Sequence, residues 1–334
     1  MTTPRPRIAL TAFSILFAAA ALSTSAARAD ASGAIQAAEH QFNAGNYAGA
    51  ISTLQAAVSP DPSSAEAYYW LGRSYYELHD YDTAIVQADK SVTLDPKSSL
   101  YHQWLGRIYG GKADRDRSFS SARKVKSEFL LAVSLDPSNI AARRDLEEYC
   151  LDAPWIAGGS KDEALVQVNA IAALDPLAGH LARAVYDREA LKKPDEAESE
   201  IRQVLNAKLK TTDPYFEVAG FFQTLNKSAD MAAAIDAAAQ VSPNDPRLAY
   251  YRGVQAVLAN QNLPGAERDL KSYLASTPDR SDWPAHAAAR EWLGRLYESQ
   301  GKPGAAAEQY RAALQLDPKR KEARARLQKL EKSS

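Results

Sequence analysis

The sequence predicts an all-α chain assembled from repeated helix pairs. Three observations carry that prediction: a recurrent Asp-Pro punctuation, apolar residues at helical rather than alternating spacing, and an alanine twelve residues before most of the punctuating prolines. Asp61-Pro62, Asp95-Pro96, Asp136-Pro137, Asp175-Pro176, Asp213-Pro214, Asp245-Pro246 and Asp317-Pro318 mark the chain, with Thr277-Pro278 filling one gap. Successive prolines lie 34, 41, 39, 38, 32, 32 and 40 residues apart. Proline lacks the amide hydrogen that continues a helix and pushes its predecessor out of the helical region, so each pair reads as a helix stop. Stretches rich in Ala, Leu and Glu with few β-branched runs favour helix over strand between the stops.

The first element precedes the repeats. Arg5 and Arg7, the apolar run Ile8 to Leu22 and the small-x-small site Ala27-Arg28-Ala29 before Asp30 have the pattern of a cleaved secretory signal peptide over residues 1–29. The apolar run counts 15 residues, short of the ~20 a bilayer span needs. Cys150 is the single cysteine, so no lipid anchor follows the cleavage site and no intrachain disulfide can form. Cleavage removes three arginines and no acid, leaving 37 basic and 41 acidic residues, a net charge of −4. The expected product is a periplasmic or secreted protein stabilised by burial, with Cys150 buried in a helix. Neither a basic field for nucleic acid nor a second apolar segment is present in the sequence.

The repeats then fall at about 31–62, 65–96, 99–137, 140–176, 179–214, 215–246, 248–278 and 284–318, with a polar final helix at 320–332. In the cleanest copy, Tyr68, Leu71, Gly72, Tyr75, Ala84 and Pro96 follow the tetratricopeptide pattern, and the last copy agrees through Leu293, Gly294, Tyr297, Ala306, Tyr310, Ala313 and Pro318. Ala50, Ala164, Ala234 and Ala266 also stand twelve residues before their prolines. The chain thus resembles tetratricopeptide-repeat (TPR) proteins of an exported bacterial type. That resemblance implies a right-handed α-solenoid of about eight TPR-like helix-turn-helix units closed by a C-terminal capping helix. Gly72 and Ala84 are small so that paired helices approach closely, while tyrosines and leucines fill the seams.

Two units depart from the pattern. Extra residues between Gly110-Gly111-Lys112 and Ser121 stretch the third, and Leu151 to Gly159 stretch the fourth; both are expected to be accommodated in loops. Ala-Pro-Trp-Ile-Ala-Gly-Gly over 153–159 resembles a loop of exported bacterial repeat proteins, and its proline and glycines read as a bent connector. Asp80-Tyr81-Asp82 reads as a turn and helix start.

Residues that could carry chemistry are scattered. His40, His79, His102, His180 and His286 include no i, i+4 pair for zinc, Gly110-Gly111-Lys112 lacks the spacing of a phosphate loop, and no Gly-x-Ser-x-Gly elbow occurs. No catalytic residue, metal or cofactor is expected. Basic clusters around Arg115–Lys126 and Lys319–Lys332 are interrupted by acids and read as solvated helix faces.

One constellation recurs: Trp70-Leu71-Gly72-Arg73, Trp104-Leu105-Gly106-Arg107 and Trp292-Leu293-Gly294-Arg295. Trp and Arg three residues apart share a helix face. The resemblance implies that these positions line a concave surface that grips partner segments, and Arg stands where units that clamp a C-terminal carboxylate typically carry Asn. Trp and Arg are also enriched at binding hot spots. The alternative is structural, with indoles packed on the neighbouring unit beneath the Arg stems. The expected function is a non-enzymatic protein–protein interaction scaffold of the bacterial cell envelope that binds peptide or helical segments through Trp70, Arg73, Trp104, Arg107, Trp292 and Arg295. The runner-up is a receptor for a soluble ligand or cell-wall glycan, using Trp70, Trp104, Trp155 and Trp292 as stacking platforms.

Overall fold

The computed structural model describes residues 32–59, 62–276 and 278–333; the leader expected at 1–29 lies outside the described residues, as do Asp61 and Thr277. Among the described residues there are seventeen α-helices and no strand. They are α1 (32–43), α2 (Tyr47–Val58), α3 (Ala65–Glu77), α4 (Tyr81–Leu94), α5 (Ser99–Asp116) and α6 (Phe119–Leu135) in one compact body that ends at Asp136. A second body begins at Pro137 and holds α7 (Ile140–Asp152), α8 (Lys161–Leu174), α9 (Pro176–Glu189), α10 (Pro194–Leu205), α11 (Asp213–Thr224) and α12 (Ser228–Val241). It continues with α13 (Arg247–Ala259), α14 (Leu263–Ser276), α15 (His286–Ser299), α16 (Pro303–Leu316) and α17 (Lys321–Ser333). From α3 to α16 consecutive helices pack as pairs, odd number with the next even one. No described helix is long and apolar enough to cross a membrane.

Local chemistry sets the helix ends. Ser64, Ser98 and Asn139 accept from the backbone amides of Ala67, Tyr101 and Ala142 at 3.3, 3.3 and 2.9 Å, starting α3, α5 and α7 with the same cap. Asp80 does the same for α4 through Thr83 at 3.2 Å. Asp95, Asp136 and Asp317 cap the C-terminal ends of α4, α6 and α16, as the punctuation predicts. Three other pairs open helices instead. Asp175 ends α8 but also caps α9, accepting from Leu177 and Ala178 with Pro176 in the first turn. Asp213-Pro214 begins α11, and Asp245-Pro246 leads directly into α13. A proline costs nothing in the first turn, where its missing amide hydrogen would have no partner.

Packing follows the small residues. A Cβ on Gly72 would lie 3.3 Å from the Ala84 carbonyl oxygen and from Ala88 Cβ, so α3 and α4 meet at the glycine. Cys150 is buried, and Ala323, Leu327 and Leu330 of α17 lie against the core of the second body.

The two stretched units resolve differently. The third does not loop out: α5 runs unbroken through Gly110-Gly111 for 18 residues and α6 for 17, against 13 and 14 in α3 and α4. Glycine costs only ~1 kcal/mol in a helix, and Lys112 and Arg115 of the extra turn pair with Asp82 on α4. The fourth does form a bent connector, a 3-10 turn over Trp155–Ala157 with Gly158 at φ 101°. A Cβ on Gly159 would fall 1.8 Å from the Ala153 carbonyl oxygen, so only glycine fits there. Tyr149 Oη donates to the Ala157 carbonyl at 2.6 Å and pins the bend, leaving Trp155 85% exposed.

Candidate functional site

The predicted tryptophan–arginine couples form, and their guanidinium carbons lie 4.6 Å (Arg73–Trp70), 4.9 Å (Arg107–Trp104) and 3.8 Å (Arg295–Trp292) from the ring centroids. The indoles are not open platforms: Trp70, Trp104 and Trp292 are 8%, 9% and 4% exposed. In the first body Arg73 inserts between rings from three helices. Its guanidinium carbon lies 4.1 Å from the Trp104 ring of α5, closer than to its own Trp70, and 4.5 Å from Phe42 of α1. Phe42 meets Trp70 edge-on at 5.3 Å, and Tyr69 meets Trp70 and Trp104 at 5.3 and 6.3 Å. Arg73 Nη1 donates to Tyr69 Oη at 3.2 Å, while the buried Nε has no hydrogen-bond partner. Burial pushes the Tyr69 hydroxyl above its ordinary range despite Arg73, so this acceptor stays neutral.

Those indoles therefore pack. Trp70, enclosed by Arg73, Tyr69 and Phe42, and Trp104, enclosed by Arg73, Arg107, Tyr69 and Tyr76, have no free face for a sugar, which removes both as stacking platforms. Trp292 belongs to the core of the second body, where burial and the like charge of Arg326 both work against the Arg295 cation above it. Of the tryptophans proposed as glycan platforms, only Trp155 is open. The partly exposed groups of the six predicted residues are the three arginines.

The second body supplies what the sequence reading missed. First helices of successive pairs touch one another there, α7 with α9, α11 with α13 and α13 with α15. Arg144 of α7 reaches Glu217 of α11, two pairs further on, with Nη1 donating to both carboxylate oxygens at 2.9 and 2.8 Å. Side chains two repeats apart can meet only if the first-helix face is the inner side of a curve. Burial works against the Arg144 charge, and Glu217 outweighs it.

On that face lies a cavity of about 560 Å³ between α11, α13 and the connector ahead of α15. Its wall is aromatic, with Phe216 and Tyr251 stacked at 5.0 Å and 10°. The Arg247 guanidinium carbon lies 4.4 Å from the Phe216 ring and 5.5 Å from that of Trp283. Arg247 is fixed by Asp245 at 2.8 Å and Asp213 at 2.6 Å, and although burial pushes the Asp245 carboxyl up, Arg247 holds it below its usual range. Gly220 leaves the floor open: a Cβ there would meet nothing nearer than the Tyr251 hydroxyl at 3.9 Å. Trp283 is the one tryptophan outside both the recurrent tetrapeptide and the 153–159 loop, and its position one residue before Pro284 is the only sequence cue to its place in a connector. Among the described residues no cluster of His, Cys, Asp and Glu could hold a metal ion.

The shared caps align α3, α5 and α7. Counted from Ser64 and Ser98, the tetrapeptides Trp70 to Arg73 and Trp104 to Arg107 occupy one register; counted from Asn139, that register in α7 holds Asp145-Leu146-Glu147-Glu148.

A family model described as Tetratricopeptide repeat matches residues 35–99 and 251–321. Among solved structures the chain is similar to the crystal structure of the APC/C hetero-tetramer Cut9-Hcn1, with a TM-score of 0.51 and 12% identity over 88% of this chain. The match spans 54% of that chain, about half its length. A tetratricopeptide repeat protein from Parabacteroides merdae aligns with a TM-score of 0.48 and 14% identity over 80% of this chain and 98% of that one. MamA aligns at 0.40 and 19% over 50% and 92%. A comparison with curated proteins finds no match. The chain therefore carries tetratricopeptide repeats in the two matched regions, within an all-α repeat fold.

Proposed function

We propose that the chain is a non-enzymatic scaffold that binds an extended or helical segment of another protein along the first-helix face of its second body. One observation carries this: the 560 Å³ cavity on that face, walled by the stacked Phe216–Tyr251 pair and crossed by Arg247, combines apolar area with fixed charge where a repeat fold concentrates binding. Tyr251 and Trp283, both partly exposed, supply anchor contacts backed by the buried Phe216 ring, while Asp213, Glu217 and Asp282 set polarity around them. The tetratricopeptide match and the likeness of fold support an interaction role of this kind. The partners we propose are proteins of the bacterial envelope, following the signal-peptide pattern of residues 1–29. An exported product starting at Asp30, read by N-terminal sequencing of a periplasmic or culture fraction, is the expected result. A full-length chain retained in the cytoplasm would refute that location.

Gly220→Leu tests the binding face. The new Cβ meets nothing nearer than the Tyr251 hydroxyl at 3.9 Å and Gly220 lines the cavity, so helical circular dichroism should be unchanged. Affinity for peptides selected on the full chain by display should fall about tenfold or more, the effect of losing one well-packed anchor. Equal affinity of both proteins for every selected peptide would move binding off this face.

A further inference from the structure

A second cavity, of about 300 Å³, opens between α7 and α9 on the same face. Four acids line it, Glu147, Glu148, Asp152 and Glu189, against two bases, Arg144 and Arg188. Both bases have committed partners: Arg144 holds Glu217 at 2.8 Å, and Arg188 holds Glu189 at 2.8 Å. Glu147 is only 2% exposed, and its buried Oε1 has no hydrogen-bond partner. Leu151 and Val185 supply apolar wall beside it. A carboxyl in such a place costs stability that an apolar side chain would not, and the fold does not require it: the same register holds Gly72 in α3 and Gly106 in α5.

We propose that the α7–α9 cavity is a pocket for an organic cation on an aliphatic stem, an ammonium or guanidinium group, which pairs with Glu147 while Leu151 and Val185 flank the stem. An acidic majority whose bases are already paired fits a cation, and long basic side chains bury their stems along apolar walls. The pocket confers on the proposed segment-binding face a preference for lysine or arginine in the bound segment, and so rests on that reading. Burial, partly offset by Arg144 and reinforced by Glu148 and Glu217, pushes the Glu147 carboxyl up to about 8. With Arg144, Glu148, Asp152, Arg188, Glu189 and Glu217 as the surrounding charged groups, a cation arriving near neutral pH meets a protonated Glu147. Pairing then releases that proton to the buffer and leaves carboxylate against cation.

The test is isothermal titration calorimetry on the full chain at pH 7, in two buffers of different ionisation heat. The probes are blocked pentapeptides of glycine with central Lys, Arg or Gln, and the free amines cadaverine and agmatine. The expected result is that the Lys or Arg peptide binds about tenfold tighter than the Gln peptide, the scale of one charge-assisted pair, with proton release on binding. Glu147→Gln should abolish both the preference and the proton release, and Glu147→Leu provides the same comparison with an apolar filler. Equal binding of charged and neutral peptides, the preference surviving in Glu147→Gln, or no binding of any cationic probe each overturns the pocket. Free amines binding as tightly as the peptides, still dependent on Glu147, support the pocket and assign it to a free cation. Gly220→Leu separates the two proposals: if it abolishes binding of display-selected peptides while no Lys or Arg preference exists, the cation pocket fails and the binding face stands.

Discussion

One register of the first helix is used in opposite ways in α3 and α5 of the first body and in α7 of the second. In α3 and α5 it carries Trp-Leu-Gly-Arg, and each arginine lies on buried indole; in α7 it carries Asp145-Leu146-Glu147-Glu148 and directs a buried carboxyl into a cavity. The leucine stays buried in all three, as Leu71, Leu105 and Leu146. Its neighbours change from groups that complete a core to groups that weaken one. A cation between rings is stabilised by their quadrupoles even where one donor lacks a partner. A buried carboxyl oxygen without a donor, such as Glu147 Oε1, has no comparable compensation at that atom. The lesson is that the repeat pattern fixes which positions face inward, and the residue type then decides whether the position supports the fold or remains available to a ligand.

The contrast breaks most visibly at Trp104. Its ring floors Arg73 and meets Tyr69 and Tyr76 at 6.3 and 6.1 Å, so Trp104→Ala should cost about 3–5 kcal/mol, read as a loss in chemical denaturation. A variant with wild-type stability would return the indole to the surface and undo the structural reading of the tetrapeptide.

The next effect has the opposite sign. Because the Glu147 carboxyl sits at about 8 when folded, against the ordinary 4.5, the folded chain keeps a proton that the unfolded chain loses between those pH values. Wild-type stability should therefore fall as pH rises from about 4.5 to about 8, with no contribution to the slope outside that window. Glu147→Gln should erase this fall, matching wild type near pH 4 and exceeding it by a few kcal/mol above pH 8. Thermal melts across pH read both, and parallel curves for the two proteins would sink the claim of a buried acid that keeps its proton in the folded chain.

The smallest effect sharpens the first. Arg73→Met keeps the stem and removes the charge from within 4.6 Å of three ring centroids. A loss of about 1 kcal/mol is expected, as for a partly desolvated cation over aromatic rings. A cost above that of Trp104→Ala would make the cation, not the indole, the organising element of the cluster.

Much of this fold is legible in the residues. The Asp-Pro pairs locate the boundaries, the small Gly72 and Ala84 mark a close helix approach, and the buried Cys150 agrees with its expected place. The legible part fails where a local rule has two outcomes. Proline excludes a helix interior but favours a helix start, so Asp213-Pro214 opens α11. Gly110-Gly111 weakens a helix without ending it, and α5 continues because Lys112 and Arg115 find Asp82 on the neighbouring helix. The site was legible only in part. The Trp and Arg composition drew attention to three couples that form but are closed, whereas Glu147 reads as a solvated glutamate until the shared caps place it in the glycine register.

Helix content, repeat pitch and the pairing of neighbouring helices were determined by the sequence alone, because caps, prolines and 3.6-residue periodicity act over a few residues and need no distant partner. Which inward positions are filled and which stay hollow was decided by the tertiary structure. Exposure of Arg73 depends on Trp104 one repeat away, the Arg144–Glu217 pair joins helices two repeats apart, and the cavity beside Glu147 has α9 as its other wall. Those contacts depend on how repeats curve against each other, a sum of many packing terms that no single stretch of residues carries.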